Sequence, residues 1–72
     1  MNTADEIKKS LEGVDTTGMI TSVKPGYAHK IVTFDPDKIK GLTDAQLMYI
    51  ADGGFSYFGG VVRGHVVKIY TD

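Results

Sequence analysis

The run Asp52-Gly53-Gly54-Phe55-Ser56-Tyr57-Phe58-Gly59-Gly60 constrains this chain more than any other stretch. It holds three of the seven aromatics and four of the nine glycines, and it separates two segments of different hydrophobic period. Before it, Leu42-Thr43-Asp44-Ala45-Gln46-Leu47 opens a helix. Thr43 and Gln46 have capping-box spacing, Asp44 places negative charge in the first turn, and Leu42 and Leu47 have the spacing of a hydrophobic staple. Leu47, Ile50 and Ala51 then share a face with Met48 and Tyr49 at its margins, and Gly53 or Gly54 supplies the left-handed stop. After the run, Phe55 to Val62 and His65 to Thr71 alternate in the manner of strands around Arg63-Gly64, which reads either as a two-residue turn or, since Arg63 is not favoured at positive φ, as a three-residue turn with Gly64 left-handed. In that two-residue register Phe58 lies across from Ile69 and Gly60 from Val67 on one face. Tyr57 then lies opposite Tyr70, and Gly59 opposite Lys68, on the other. Phe58, Val67 and Ile69 are assigned to the core. Gly59 and Gly60 mark a bulge that could shift the register.

The amino-terminal half repeats the same order of elements. Thr3 and Glu6 form a first capping box over a helix at residues 3 to 12, with Ala4, Ile7 and Leu11 on one face and Gly13 as its stop. An isolated helix of about ten residues is marginal in water, so this one needs a docking surface. Met19 to Val23 and Lys30 to Phe34 read as two strands of a hairpin, with Pro25 and Gly26 suited to positions i+1 and i+2 of a type II turn. Asp35 to Gly41 is polar and loop-like. The order is therefore α-β-β-α-β-β. It predicts a single α+β domain over residues 1 to 72, a four-stranded, mainly antiparallel sheet with both helices on one face and the other face wet.

Seventy-two residues support one core, since a chain this short buries only about 60% of the surface its unfolded form exposes. With no cysteine, neither a disulfide framework nor a thiolate metal site reinforces that core, so a homodimer is a natural source of added stability. Nothing approaches the roughly 20 apolar residues of a membrane span, and the amino terminus has no secretory signal pattern, so a cytoplasmic location is expected. Eight Lys/Arg against nine Asp/Glu are spread evenly over the two halves, which shows no basic nucleic-acid footprint in bulk charge.

Chemistry-bearing patterns are sparse. The glycines of Asp52–Gly60 follow a helix and precede a strand, the reverse of a phosphate-binding loop, and neither Walker nor dinucleotide spacing is present. His29 and His65 have no metal-ligand spacing, so no metal or other cofactor is expected. Ser10, Ser22 and Ser56 lack a nucleophile elbow, so no catalytic residue is assigned and an enzyme is not expected. The aromatics Phe55, Tyr57, Phe58 and Tyr70 divide between core and surface. Tyr57 and Tyr70, with Arg63 and Lys68, form the candidate protein-binding set, because exposed tyrosine combines large contact area with low entropy cost. The alternative is a nucleic-acid or nucleotide-binding protein using the same aromatics with Lys24, Lys30 and Arg63. A small-molecule sponge is a third reading.

The sequence L-T-D-A-Q-L-M-Y-I-A-D-G-G-F-S-Y-F-G-G-V-V-R-G-H-V-V-K-I-Y-T-D, residues 42 to 72, resembles the ends of small proteins of bacteriophages and mobile elements. In those a helix closing on an I-x-D-G-G-like end leads into F-G-G and a hairpin finishing in Y-T-D. The resemblance implies a context rather than an activity: a very small binding protein that blocks or redirects a host protein, including components of antiviral defence. Together these readings predict a non-enzymatic binding protein whose partner is a host macromolecule.

Overall fold

A computed structural model describes residues 4–52 and 60–70 of the chain. The element order is α1 (Ala4–Ser10), β1 (Ile20–Pro25), β2 (His29–Phe34), α2 (Asp44–Asp52), β3 (Gly60–Arg63) and β4 (Val66–Tyr70). The strands form one antiparallel sheet in the order β1-β2-β4-β3, so the α-β-β-α-β-β organisation expected of the sequence is what the chain adopts. The carboxyl-terminal hairpin adds its second strand beside β2, which leaves β1 and β3 as edges.

The second capping box is formed in full. Gln46 N donates to Thr43 Oγ1 at 3.2 Å, and Thr43 N donates to Gln46 Oε1 at 2.8 Å, so two amides that a helix start leaves unpaired are satisfied reciprocally. The helix so fixed turns Leu47 and Met48 into the core, while Leu42, Ile50 and Ala51 pack at its margin. The core itself is built from Val32 and Phe34 of β2 and Val67 and Ile69 of β4, all at most 1% exposed, closed by Met19 and Ile39. Val67 and Ile69 are thus where the alternation places them. Phe58 and Tyr57, the first capping box at Thr3, and the glycines at 53, 54 and 59 lie outside the described residues.

Two expectations change. The surface on which α1 docks is α2 rather than the sheet, since α1 buries only Ile7 and its stripe is too narrow to reach further. The 35–41 connection is more than a polar loop. Asp35 Oδ1 accepts from Asp37 N at 3.0 Å and Asp35 O accepts from Lys38 N at 3.1 Å, and the turn so made drives Ile39 into the core at 8% exposure. Gly13, at φ +81°, stops the first helical segment as its sequence position implies.

Both hairpin turns are displaced along the chain. In the first, Pro25 stays in the ladder opposite Lys30, and Gly26 N donates to His29 O at 2.7 Å around Tyr27 and Ala28. Ala28, at φ 61°, takes the left-handed second position that Gly26 was expected to take. An edge strand tolerates a proline, which is why the strand runs on through Pro25. Gly26 has a different role: a Cβ there would meet Nε2 of His29 at 2.5 Å. In the second hairpin, Arg63 pairs with Val66 and the turn is Gly64-His65. Gly64, at φ 61°, supplies the positive φ at the first central position, the pattern of a type II′ turn. The register is consequently Gly60 with Ile69 and Val62 with Val67, two residues from the sequence expectation. A shift of two preserves the faces, so Gly60, Val67 and Ile69 stay inward and Lys68 and Tyr70 outward, whereas the assignments of Tyr57, Phe58 and Gly59 fall outside the described residues.

Candidate functional site, the outer face of the sheet

The sheet has an inner face against α2 and an outer face that carries no described helix. Directly opposed residues of an antiparallel pair share a face, so the ladder defines the outer one. Lys24 opposes Ile31, which opposes Lys68, which opposes Val61, giving one row across all four strands. Ser22, Thr33, Val66 and Arg63 form the next row. His29 and Tyr70 begin a third, with ring centroids 5.2 Å apart and planes tilted by 45°. Lys24, Val61, Arg63, Lys68 and Tyr70 are exposed, and Ile31, Thr33 and Val66 are half-buried among their neighbours.

The rows are held in place by ordinary sheet chemistry and by two local devices. Thr21 Oγ1 donates to Thr33 O at 3.1 Å across a bulge between Ile20 and Ser22, which bends the β1 edge. At the other end His29 Nδ1 donates to the carbonyl of Tyr27 at 2.6 Å, which sets the imidazole over Gly26 and beside Tyr70. Tyr27 itself stands at the hairpin tip, 96% exposed. Between β3 and β4 the outer face dips into a shallow depression of about 230 Å³ lined by Val61, Arg63, Val66 and Lys68.

Charge is segregated by element. Four of the eight Lys/Arg, namely Lys24, Lys30, Arg63 and Lys68, lie in strands, whereas among the described residues no Asp or Glu does, so the described strands carry +4. Three of those four cations are on the outer face. Lys40 pairs with Asp37 at 3.5 Å within the 35–41 connection. Among the described residues no cluster of His, Asp and Glu is grouped to hold a metal ion, and no helix is long and apolar enough to cross a membrane.

Of the residues singled out from the sequence as a protein-binding set, Arg63, Lys68 and Tyr70 come together on the outer face, and Tyr57 lies outside the described residues. The nucleic-acid set is divided. Lys24 and Arg63 are on the outer face, but Lys30 opposes Ile69 on the inner one. Ile31, Val61, Val66 and His29 complete the surface and were not singled out. Val61 and Val66 follow from alternation once Val67 and Ile69 are inside, but the places of Lys24 and Ile31 depend on the β1-β2-β4 pairing, which no local pattern carries. Two further grooves flank α1, one of about 200 Å³ beside Ser10 and Gln46 and one of about 350 Å³ beside Leu11, Val14 and Tyr49. No protein-family model, curated protein or solved structure matches the chain.

Proposed function

We propose that this chain is a non-enzymatic binding protein that engages a macromolecular partner through the outer face of its sheet, with Arg63, Lys68 and Tyr70 as contact residues. The supporting observation is the composition of that face. It combines apolar side chains at Ile31, Val61 and Val66 with cations at Lys24, Arg63 and Lys68, and no described strand residue is acidic. An apolar surface rimmed by charge, with no described helix over it, is what a binding site on a small domain presents. A protein partner is favoured, and the host setting, with modulation of a defence component as its narrowest form, rests on the resemblance of residues 42 to 72 to phage-type proteins. A cytoplasmic location and a homodimer belong to the same proposal. The sponge reading has less support, because the grooves are shallow.

The test is affinity capture from bacterial lysate with the wild-type chain and an Arg63→Glu/Lys68→Glu/Tyr70→Ala variant of matched melting temperature. Capture of a defined protein by the first and not by the second is the expected result. Identical captured sets would remove the outer face from the binding role.

A further inference from the structure

We infer that the occupant of the outer face is an acidic, amphipathic protein segment, its aliphatic side chains on Ile31, Val61 and Val66 and its carboxylates on Lys24, Arg63 and Lys68. This inference rests on the sheet-face reading above and adds the chemistry of the partner. The charge pattern comes first. Lys68 sits between Ile31 and Val61 in one cross-strand row, with Lys24 at the β1 end of that row and Arg63 in the next. That row therefore alternates cationic and apolar positions, and Val66 beside Arg63 in the next row repeats the pairing, the complement of a segment that alternates aliphatic and acidic side chains. Such complementarity selects a partner by sign and rejects those of like sign.

Size gives a second constraint. Strands about 4.8 Å apart and about five residues long make a face of roughly 300 Å². A standard interface takes about 800 Å² from each partner, so this surface suits a short segment rather than the side of a globular protein. The depression between Val61, Arg63, Val66 and Lys68 has room for one aliphatic side chain with a carboxylate in reach of both cations at its rim.

The same residues argue against other occupants. Bases need exposed aromatic planes, but the centre of the face is β-branched, and its described rings are Tyr70 and the His29 tilted against it. Three cations also offer few phosphate contacts. A second copy docking face to face would place Lys24, Arg63 and Lys68 against their own equivalents. Anionic membranes are entered by protruding large apolar side chains, whereas Ile31 and Val66 are half-buried within the sheet.

The experiment is selection from a random peptide library displayed on yeast, panned at physiological salt with the labelled full chain. Enriched peptides are then titrated against the wild type, an Arg63→Gln/Lys68→Gln variant and an Arg63→Glu/Lys68→Glu variant, with backbone amide shifts recorded on binding. The expected peptides carry Asp and Glu interleaved with Leu, Ile or Val, shift amides of β3 and β4, and weaken at least about tenfold on charge reversal, with neutralisation intermediate. The neutral variant keeps the comparison valid should the reversed one fold poorly. Peptides that lack acidic residues yet map to the outer face would overturn the acidic partner and leave the sheet-face reading standing. Peptides whose shifts map to the helices and whose affinity ignores all variants would overturn both. Retention of random single-stranded DNA or of phosphatidylserine vesicles, without acidic peptides, would replace the protein segment by that partner. A selection that enriches nothing would also overturn the inference.

Discussion

Gln46 Nε2 donates to Ser10 Oγ at 3.0 Å, and Ser10 Oγ in turn donates to Ile7 O at 2.6 Å, so the cap of α2 is tied to the last turn of α1. One side chain therefore starts the second helix and anchors the first. Gln46→Ala removes the Gln46 Oε1 half of the capping box and the tie together, while Thr43 Oγ1 keeps its bond from the backbone amide at position 46. A lost cap costs about 1 kcal/mol, which in a domain of this size lowers the melting temperature by about 4–8 °C. Ser10→Ala keeps the cap and should cost less. Thermal unfolding of the two variants and of the double variant checks the ranking, and equal losses would show that the helix-to-helix bond, not the cap, dominates.

Ala28 and Gly64 share the same left-handed φ of 61°, one with a side chain and one without. The left-handed region costs a non-glycine residue roughly 1 kcal/mol, partly offset in a glycine variant by greater freedom of the unfolded chain. Ala28→Gly is expected to be neutral or stabilising by less than about 1 kcal/mol. Gly64→Ala, where no atom lies within 4 Å of the new Cβ, is expected to destabilise by about 1 kcal/mol through backbone strain alone. Urea midpoints measured at constant slope decide the signs.

Local signals in this sequence were legible, and long-range ones were not. Thr43, Gln46, Leu42 and Leu47 announce the second helix because a cap and a staple are made within six residues. Val67 and Ile69 announce the core because alternation is likewise local. Ile39 gives no such sign. It is a lone apolar residue between Lys38 and Lys40, and only the Asp35 turn and the position of Met19 make its burial favourable. The outer face was legible in half, for Lys68 and Tyr70 follow from the alternation that buries Val67 and Ile69. Lys24 joins them only because β2 separates β1 from β4, and a strand order of that kind is set by the whole packing.

Phe34 and Val23 lie on the inner face of neighbouring strands but in unlike surroundings. Phe34 is 1% exposed, whereas Val23, on the β1 edge beyond the reach of α2, is 59% exposed. Phe34→Ala is expected to cost about 3–5 kcal/mol. A chain of this length has only about 4–11 kcal/mol in total, so this variant should lose a large share of its stability and, at the lower end of that range, all of it. Val23→Ala should stay within about 0.5 kcal/mol of wild type. Circular dichroism melts of both variants check the contrast, and comparable losses would mean that β1 is covered.

Asp15 makes a small acid-sensitive contribution. Its Oδ1 accepts from Thr17 N at 2.9 Å, and this bond, with a contribution from the Thr17 side chain and the charge of Lys38, holds the carboxyl below the ordinary aspartate range. A depressed folded-state pKa favours folding above the unfolded value and loses that contribution as pH falls through the folded one. The loss therefore begins near the ordinary aspartate value of about 3.9 and continues below it. Asp15→Asn, which mimics the protonated carboxyl, should lower the melting temperature slightly at neutral pH and converge with wild type in strong acid, so that part of the stability profile flattens. Melting temperatures of the two proteins between neutral and strongly acid pH test this, and parallel profiles would remove the Thr17 bond as their cause.

Lys30 discriminates between the charge set suggested by the sequence and the one assembled by the fold. Lys24, Lys30 and Arg63 look alike in sequence, but the ladder turns Lys30 inward opposite Ile69, where its stem lies half-buried along the edge of the core. Lys24 and Lys68 lie outward in the row through Ile31. For an acidic peptide bound to the outer face, Lys30→Gln should therefore leave affinity within about twofold, while Lys24→Gln and Lys68→Gln each weaken it about twofold to fivefold, the range of a partly exposed ion pair. Titration by fluorescence anisotropy at low and physiological salt separates the cases, because the outward lysines should lose their effect as salt rises. Equal effects from all three lysines would mean that the peptide responds to net charge rather than to the face, and the site would then have to be sought elsewhere on the molecule.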